Sequence, residues 1–333
     1  MRPFVYERAA NAADALELHQ DGALYLGGGT NLVDLMRLGV EEPTRLVDVS
    51  RLPYDEVEVL ADGTLVIGAA VSNSDLAADR TVRETHPLLA QAILTGASGQ
   101  IRNRATVGGN LLQRTRCSYF QDASKPCNKR DPGTGCPARE GEHHNLAILG
   151  HSPACVATHP SDMAVALAAL DATVRVQGRD GERTIAFEEF HRLPGNEPER
   201  DSNLRDGDLV TAVEVPPLRM PSRYRKVRER ASFAFALVSV AAAIRTVGET
   251  VPDGTGGVVR DVRLALGGVA HKPWRCRRAE DVLRGAPATE ETFMRAAEAE
   301  LEAAEPLRDN GYKVTLARNL IVRTLIELQE AAS

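Results

Sequence analysis

Thr106-Val107-Gly108-Gly109-Asn110 opens a segment that closes on Pro160-Ser161-Asp162 and carries Cys117, Cys127, Cys136 and Cys155 in between. The cysteines are separated by nine, eight and eighteen residues, with Pro126, Pro132, Gly133, Gly135, Pro137, Gly141 and Pro153 scattered among them. Punctuation this dense excludes a long helix or strand. A loop of this length inside a compact domain needs something to hold it, and thiolates converging on a metal centre would do so. Structural zinc sites take cysteines in close pairs, about two to four residues apart, and no such pair is present. Well separated cysteines suit an iron–sulfur cluster at least as well, because its irons are reached from different directions. On spacing alone zinc, disulfides and unconnected thiols stay open, and His143, His144, His151 and His159 are candidate replacement ligands.

Upstream, Ala23 to Leu26 reads as a buried strand running directly into Gly27-Gly28-Gly29-Thr30-Asn31-Leu32. Leu32, Leu35, Met36 and Leu38 then repeat at helical spacing until Gly39. Strand, glycine turn and helix start make a local anion site, since glycines let amides approach a phosphate and the helix start adds unpaired N–H groups. The pattern is not G-x-G-x-x-G, and a tight turn that binds nothing explains three glycines equally well. The second pair, Gly108-Gly109, is also suited to close approach by a ligand, and the two turns together favour one.

At 333 residues the chain is long enough for two domains. Its 43% hydrophobic and 26% charged content is that of an ordinary soluble protein, and a net charge of −6 argues against general nucleic-acid binding. Arg102, Arg104, Arg114, Arg116, Lys125, Lys129 and Arg130 nevertheless crowd the cysteine segment. They read either as a solvated loop or as attraction to an anionic cofactor or acidic partner. No apolar run reaches membrane-spanning length, and Met1-Arg2-Pro3-Phe4 does not begin a signal peptide. Cys276 reads as a structural thiol.

The remaining pattern is α+β. Asn11 can cap a helix bearing Ala13, Leu16 and Leu18, and Arg45 to Val49 reads as a strand. Hairpins are expected across 61–64 and 178–181, and helices from about Ser74 and over Leu88 to Thr95. Ser161 can cap a helix from Asp162 to Leu170, and Leu209 to Val215 alternates as a strand. Pro216, Pro217 and Pro221 mark the best domain boundary, giving 1–221 and 222–333 with the cysteine insertion at about 113–158. Beyond it Tyr224 to Arg230 and Ala234 to Thr246 look like strand material that includes a helix at most in part. Val258 to Val269 is a strand interrupted at Gly267-Gly268, where a bulge is a simpler reading than a ligand contact. Glu280 to Leu283, Thr289 to Ala304 and Tyr312 to Gln329 are helical.

Gly27 to Leu32, Thr106 to Asn110, Ser161-Asp162 and Gly207-Asp208-Leu209-Val210-Thr211-Ala212-Val213-Glu214-Val215-Pro216, taken in this order, resemble one family along nearly the whole chain. It is that of the FAD-binding medium subunits of the xanthine dehydrogenases and molybdenum hydroxylases. The insertion, with Gln113-Arg114-Thr115-Arg116-Cys117 and Pro126-Cys127-Asn128-Lys129-Arg130, resembles the periplasmic aldehyde oxidoreductase branch. The resemblance implies a two-subdomain FAD domain of the PCMH, vanillyl-alcohol-oxidase-like type, followed by a C-terminal α+β domain of the CO-dehydrogenase flavoprotein type. It implies that Gly27, Gly28, Gly29, Thr30, Asn31 and Leu32 hold the FAD pyrophosphate, Thr30 and Asn31 with side-chain hydrogen bonds. Thr106, Val107, Gly108, Gly109 and Asn110 would form the second wall, and Asp162 would accept from FAD hydroxyls. Val210 would touch the flavin ring, and Lys226 would place a positive charge at its pyrimidine edge. Tyr119 is a lesser candidate for shielding the flavin face.

By the same resemblance Cys117, Cys127, Cys136 and Cys155 ligate a [4Fe–4S] cluster. The expected function is electron transfer: a large molybdopterin subunit oxidises an aldehyde, and electrons pass through a small [2Fe–2S] subunit and FAD to an external acceptor. No substrate-oxidising residues are expected on this chain. The rivals are a self-contained FAD oxidoreductase with a structural zinc loop and a non-enzymatic zinc scaffold. Export to the periplasm on a partner's signal is expected, with the cytoplasm as the alternative.

Overall fold

Three sheets follow one another along the chain in the computed structural model, which describes residues 1–248 and 256–331. The first is parallel, with β1 (Val5–Arg8), β2 (Ala23–Leu26) and β3 (Arg45–Asp48) in the order β1-β3-β2. Parallel neighbours need crossovers, which helices Ala12–Leu18 and Leu32–Arg37 supply. Asn11 caps the first of these, accepting from the Asp14 amide at 2.9 Å, as its place before an apolar-periodic run predicts.

The second sheet contains β4 (Val57–Val59), β5 (Leu65–Gly68), β6 (Thr173–Gly178), β7 (Gly181–Ala186) and β8 (Leu209–Val215). All its pairs are antiparallel, in the order β4-β5-β8-β6-β7, and both expected hairpins are present. β8 does not show the alternation expected of it: every residue except Glu214 is buried, because the strand is central and covered on both faces.

The third sheet is antiparallel and holds β9 (Ser222–Val227), β10 (Val238–Val247), β11 (Gly256–Gly267), β12 (Trp274–Arg275) and β13 (Pro287–Ala288). Its order is β12-β11-β10-β9, with β13 pairing to β11. Helices Arg277–Leu283, Glu290–Leu301 and Tyr312–Glu330 pack on it around Ile244, Leu264, Phe293, Ile321 and Leu325. Cys276 is fully buried in this core, and burial pushes its thiol well above the usual range, as a structural thiol requires.

Helix Asp162–Ala169 joins the second and third sheets. Ser161 caps it, accepting from the Ala164 amide at 2.9 Å, and all its residues are buried, the signature of a helix covered all round. Met163 and Val165 share one core with Val174 and Val213 of the second sheet and with Ala241 and Ala265 of the third.

The structure departs from the sequence reading in further places. Residues 224–246 carry strands and no helix among the described residues. Thr106 to Asn110 is not a free turn: Thr106 caps helix Val107–Leu111 and accepts from the Gly109 amide at 3.2 Å. Helices Arg80–Thr85, Gly99–Arg102, Ser118–Gln121 and Phe187–Phe190, and the two-residue strands β12 and β13, escaped notice because so few residues carry no periodicity.

Glu280 lies fully buried against β11, accepting from the Leu264 amide at 2.8 Å and from Arg284 at 2.9 Å, and pairing with buried Arg275. Glu280→Ala strips Arg275 of this partner and leaves it Asp171 at 3.0 Å. The expected cost is about 3–5 kcal/mol by urea unfolding of the full chain, as for other broken buried pairs. A loss below about 1 kcal/mol would mean that Asp171 takes over the charge.

Candidate cofactor and cluster site

The first glycine turn follows directly from β2. A Cβ on Gly28 would run into the carbonyl oxygen of Arg104, and one on Gly27 would come within 2.9 Å of Thr106 Oγ1. Gly29 adopts φ +75, a conformation that L side chains rarely take. The two glycine segments therefore meet backbone to backbone. Among the described residues the amides of Gly28, Gly29 and Thr30 donate to no protein acceptor, so the turn presents a row of free donors at the start of a helix.

The second segment supplies a wall rather than donors. The Val107 amide is taken by Val71 at 3.0 Å, that of Gly108 by Ala69 at 2.9 Å and that of Asn110 by Thr106 at 2.8 Å. Asn31 is also committed: its Oδ1 accepts from the Arg114 amide at 2.8 Å, which ties the first turn to the start of the cysteine segment. Gly27 to Leu32, Thr106, Gly108, Gly109, Arg114 and Val210 line a cavity of about 400 Å³, within the range of small-molecule sites.

A second cavity has a volume of about 500 Å³. Its lining includes Arg116, Ser161, Asp162, Phe233, Phe235, Gly267 and Gly268. The Ser161 hydroxyl donates to Asn110 Oδ1 at 2.5 Å, which ties the second glycine segment to the lining of this cavity. Gly267 is a close-approach position, since a Cβ there would meet Ser239 and Val165.

Asp162 and Lys226 are brought together. Lys226 Nζ donates to Asp162 Oδ2 at 2.7 Å and to the Thr95 carbonyl at 3.2 Å, and Tyr224 Oη donates to Asp162 Oδ1 at 2.5 Å. Lys226 is 2% exposed, so it is not a solvated edge charge. It lines neither cavity, whereas Asp162 lines the second. Burial, then the Asp162 charge, pushes the Tyr224 hydroxyl well above its usual range.

Cys117, Cys127, Cys136 and Cys155 surround one small void of about 10 Å³ together with Tyr119, Phe120 and Ala138. All four are free thiols, and three are buried. Burial pushes Cys117 up to about 11 and Cys155 up to about 12, and raises Cys136 as well. Backbone amides of Tyr119, Phe120, Val156 and Ala157 face these sulfurs. Thiols so deeply placed stay protonated unless a cation displaces their protons. None of the four candidate histidines lines this void. His143 bonds the Ala138 carbonyl and the Asp309 amide, His151 the Glu305 carbonyl, His144 stacks on Tyr312, and His159 packs on His191. Tyr119 is likewise occupied inside the loop, accepting from the Glu142 amide at 2.8 Å. Among the described residues no group of three or more His, Cys, Asp or Glu is set to hold a metal ion.

The basic residues are partly consumed by the loop itself. Arg130 donates to the carbonyls of Tyr119 and Phe120 at 3.0 and 2.7 Å. Buried Lys129 donates to the Pro198 carbonyl at 2.7 Å and pairs with Asp201, which Arg114 also meets at 3.0 Å. Burial pushes the Asp201 carboxyl up, but Lys129, His271 and Arg114 outweigh it and hold the group well below the usual carboxylate range. Sequence reasoning had no signal for Asp201, a polar residue in an unpatterned stretch.

A family profile described as FAD binding domain in molybdopterin dehydrogenase matches residues 2–218. A second, CO dehydrogenase flavoprotein C-terminal domain, matches residues 222–328. The chain is 48% identical over 337 aligned residues, covering all of both chains, to the aldehyde oxidoreductase FAD-binding subunit PaoB of Escherichia coli (strain K12). It is 29% identical to the glyceraldehyde dehydrogenase medium chain of Sulfolobus acidocaldarius, over 83% of this chain and 79% of that one. A solved carbon monoxide dehydrogenase from Hydrogenophaga pseudoflava has the same fold, with a TM-score of 0.75, 24% identity and 99% coverage of each chain. The cradle of free amides and these full-length matches agree, and the chain belongs to the FAD-binding medium subunits of the molybdenum hydroxylase family of oxidoreductases.

Proposed function

We propose that this chain is the electron-transfer subunit of a molybdenum-dependent aldehyde oxidoreductase, binding FAD in its glycine cradle and a [4Fe–4S] cluster on its cysteine loop. The observation that carries the reading is the full-length 48% identity to an aldehyde oxidoreductase FAD-binding subunit. Free amides of Gly28, Gly29 and Thr30 suit a pyrophosphate, and two cavities of small-molecule size suit a ligand with two ends. Bound FAD supplies a centre that accepts electrons singly and releases them in pairs. The residues of this chain bind and orient it: Val210 bounds the first cavity, Asp162 the second, and buried Lys226 fixes the Asp162 carboxylate. The cluster rests on the donor set, four cysteines about one void with amides facing the sulfurs. The zinc alternative would draw on the same four cysteines, and their spacing, without a close pair, suits it less.

The partners in this reading are a small [2Fe–2S] subunit and a large molybdopterin subunit, with an external acceptor at FAD. The division between the two parts lies between residues 221 and 222. Location in the periplasm, by export as a folded complex on a partner's signal, rests on the resemblance to that branch. A neighbouring gene encoding a leaderless [2Fe–2S] subunit would place the complex in the cytoplasm instead.

An anaerobic visible spectrum of the purified chain, with flavin, iron and zinc quantified, should show flavin bands over a broad shoulder and about four irons per chain. Flavin with zinc would overturn the cluster. Gly28→Ala forces the two glycine segments apart at Arg104, and should weaken FAD binding by at least about tenfold with iron retained. Cys127→Ser should lose iron and keep flavin. Loss of both on either substitution would show that the two sites do not fold independently.

A further inference from the structure

Lys313 occupies the first turn of helix Tyr312–Glu330, is fully buried and has no carboxylate partner among the described residues. Its Nζ donates to the carbonyls of Asn145 at 2.9 Å, Leu146 at 3.0 Å and Gly268 at 2.7 Å. This is the unfavourable end of a helix for a cation, so only the three carbonyls hold the charge there. Two of them belong to the return limb of the cysteine segment and the third follows β11, and all three residues line the second cavity.

The same limb is stitched to the chain ahead of Lys313 by neutral contacts. His151 bonds the Glu305 carbonyl at 2.7 Å, the Asp309 amide donates to His143 at 3.1 Å, and Asn310 donates to the Ala147 carbonyl at 3.1 Å. These contacts fix the limb to the C-terminal part, and the Ile148 and Leu149 amides join it to the Val269 carbonyl at 2.8 and 3.0 Å. Lys313 adds the grip that ties Asn145 and Leu146, in the cavity lining, to the Gly268 carbonyl. We propose that Lys313 is a positioning residue for the second cavity, its ammonium locking the cysteine-loop limb against the Gly267-Gly268 corner so that the cavity keeps the shape that receives FAD. The inference rests on the FAD reading above.

Burial pushes the Lys313 ammonium down to about 7. The titratable groups beside it on the chain and on the limb are engaged elsewhere: Arg308 and His143 with Asp309, and Tyr312 with His144. A neutral amine has two N–H donors for three carbonyls, so the lock weakens as pH rises through this value.

The test is the FAD dissociation constant of the full chain, measured by flavin fluorescence from about pH 6 to about pH 8, either side of about 7. Wild type should bind about tenfold more weakly at the upper end, Lys313→Arg should show a flat profile, and Lys313→Met should bind weakly throughout. Hydrogen exchange of residues 143–149 without cofactor should be about tenfold faster in Lys313→Met, a readout independent of flavin. If that variant does not fold, Lys313→Gln, which keeps donors without the charge, replaces it. A flat wild-type profile, or equal affinities in wild type and the uncharged variants, would overturn the proposal. A wild-type chain that binds no FAD at any pH would overturn the underlying reading instead.

Discussion

The carboxylate of Asp162 is where the two parts of the molecule are made one. It stands at the start of a helix buried on every side, and it receives a tyrosine hydroxyl and a lysine ammonium from β9 of the third sheet. A pair so deeply buried is not a source of great net stability, because both charges have given up water. Its value is geometric: once either partner is desolvated, only the docked arrangement satisfies the other. The second cavity is bounded by this same junction, so it exists only after the third sheet has docked.

The first cavity depends on a different constraint, the exclusion of side chains where Gly28 meets Arg104. The two glycine segments look alike in sequence and act differently in space. The first leaves its amides free, and the second spends its own on neighbouring backbone. That asymmetry follows from what precedes each. A strand ending in a turn leaves amides unpaired, whereas a segment capped by Thr106 and packed on Ala69 and Val71 has partners for each of them.

Much of this was legible in the residues. Strand, glycine turn and helix were readable at 23–37 because local chemistry decides them, and so were the caps at Asn11 and Ser161. The four cysteines were legible as a group from their spacing among prolines and glycines, and they do surround one void. What could not be read were long-range pairings. Lys226 pairs with Asp162, and Asn31 Oδ1 accepts from the Arg114 amide, contacts that no local pattern announces. Asp201, at the centre of the charge network behind the loop, belongs to no motif, and only the fold brings Lys129 and Arg114 to it.

The contact between Asn110 and Ser161 carries a consequence for how such a loop is gained. The chain leaves the common fold beside Asn110 and returns beside Ser161, so everything between them is an excursion whose two ends already touch. Closing a loop on ends that touch costs entropy that grows only with the logarithm of its length. Length can therefore change in the outer part of this excursion at little entropic cost, whereas its return limb is held: Ile148 and Leu149 are fully buried in the core of the third sheet, and both amides donate to the Val269 carbonyl. The doorway at Asn110 and Ser161 marks where a different segment could be grafted.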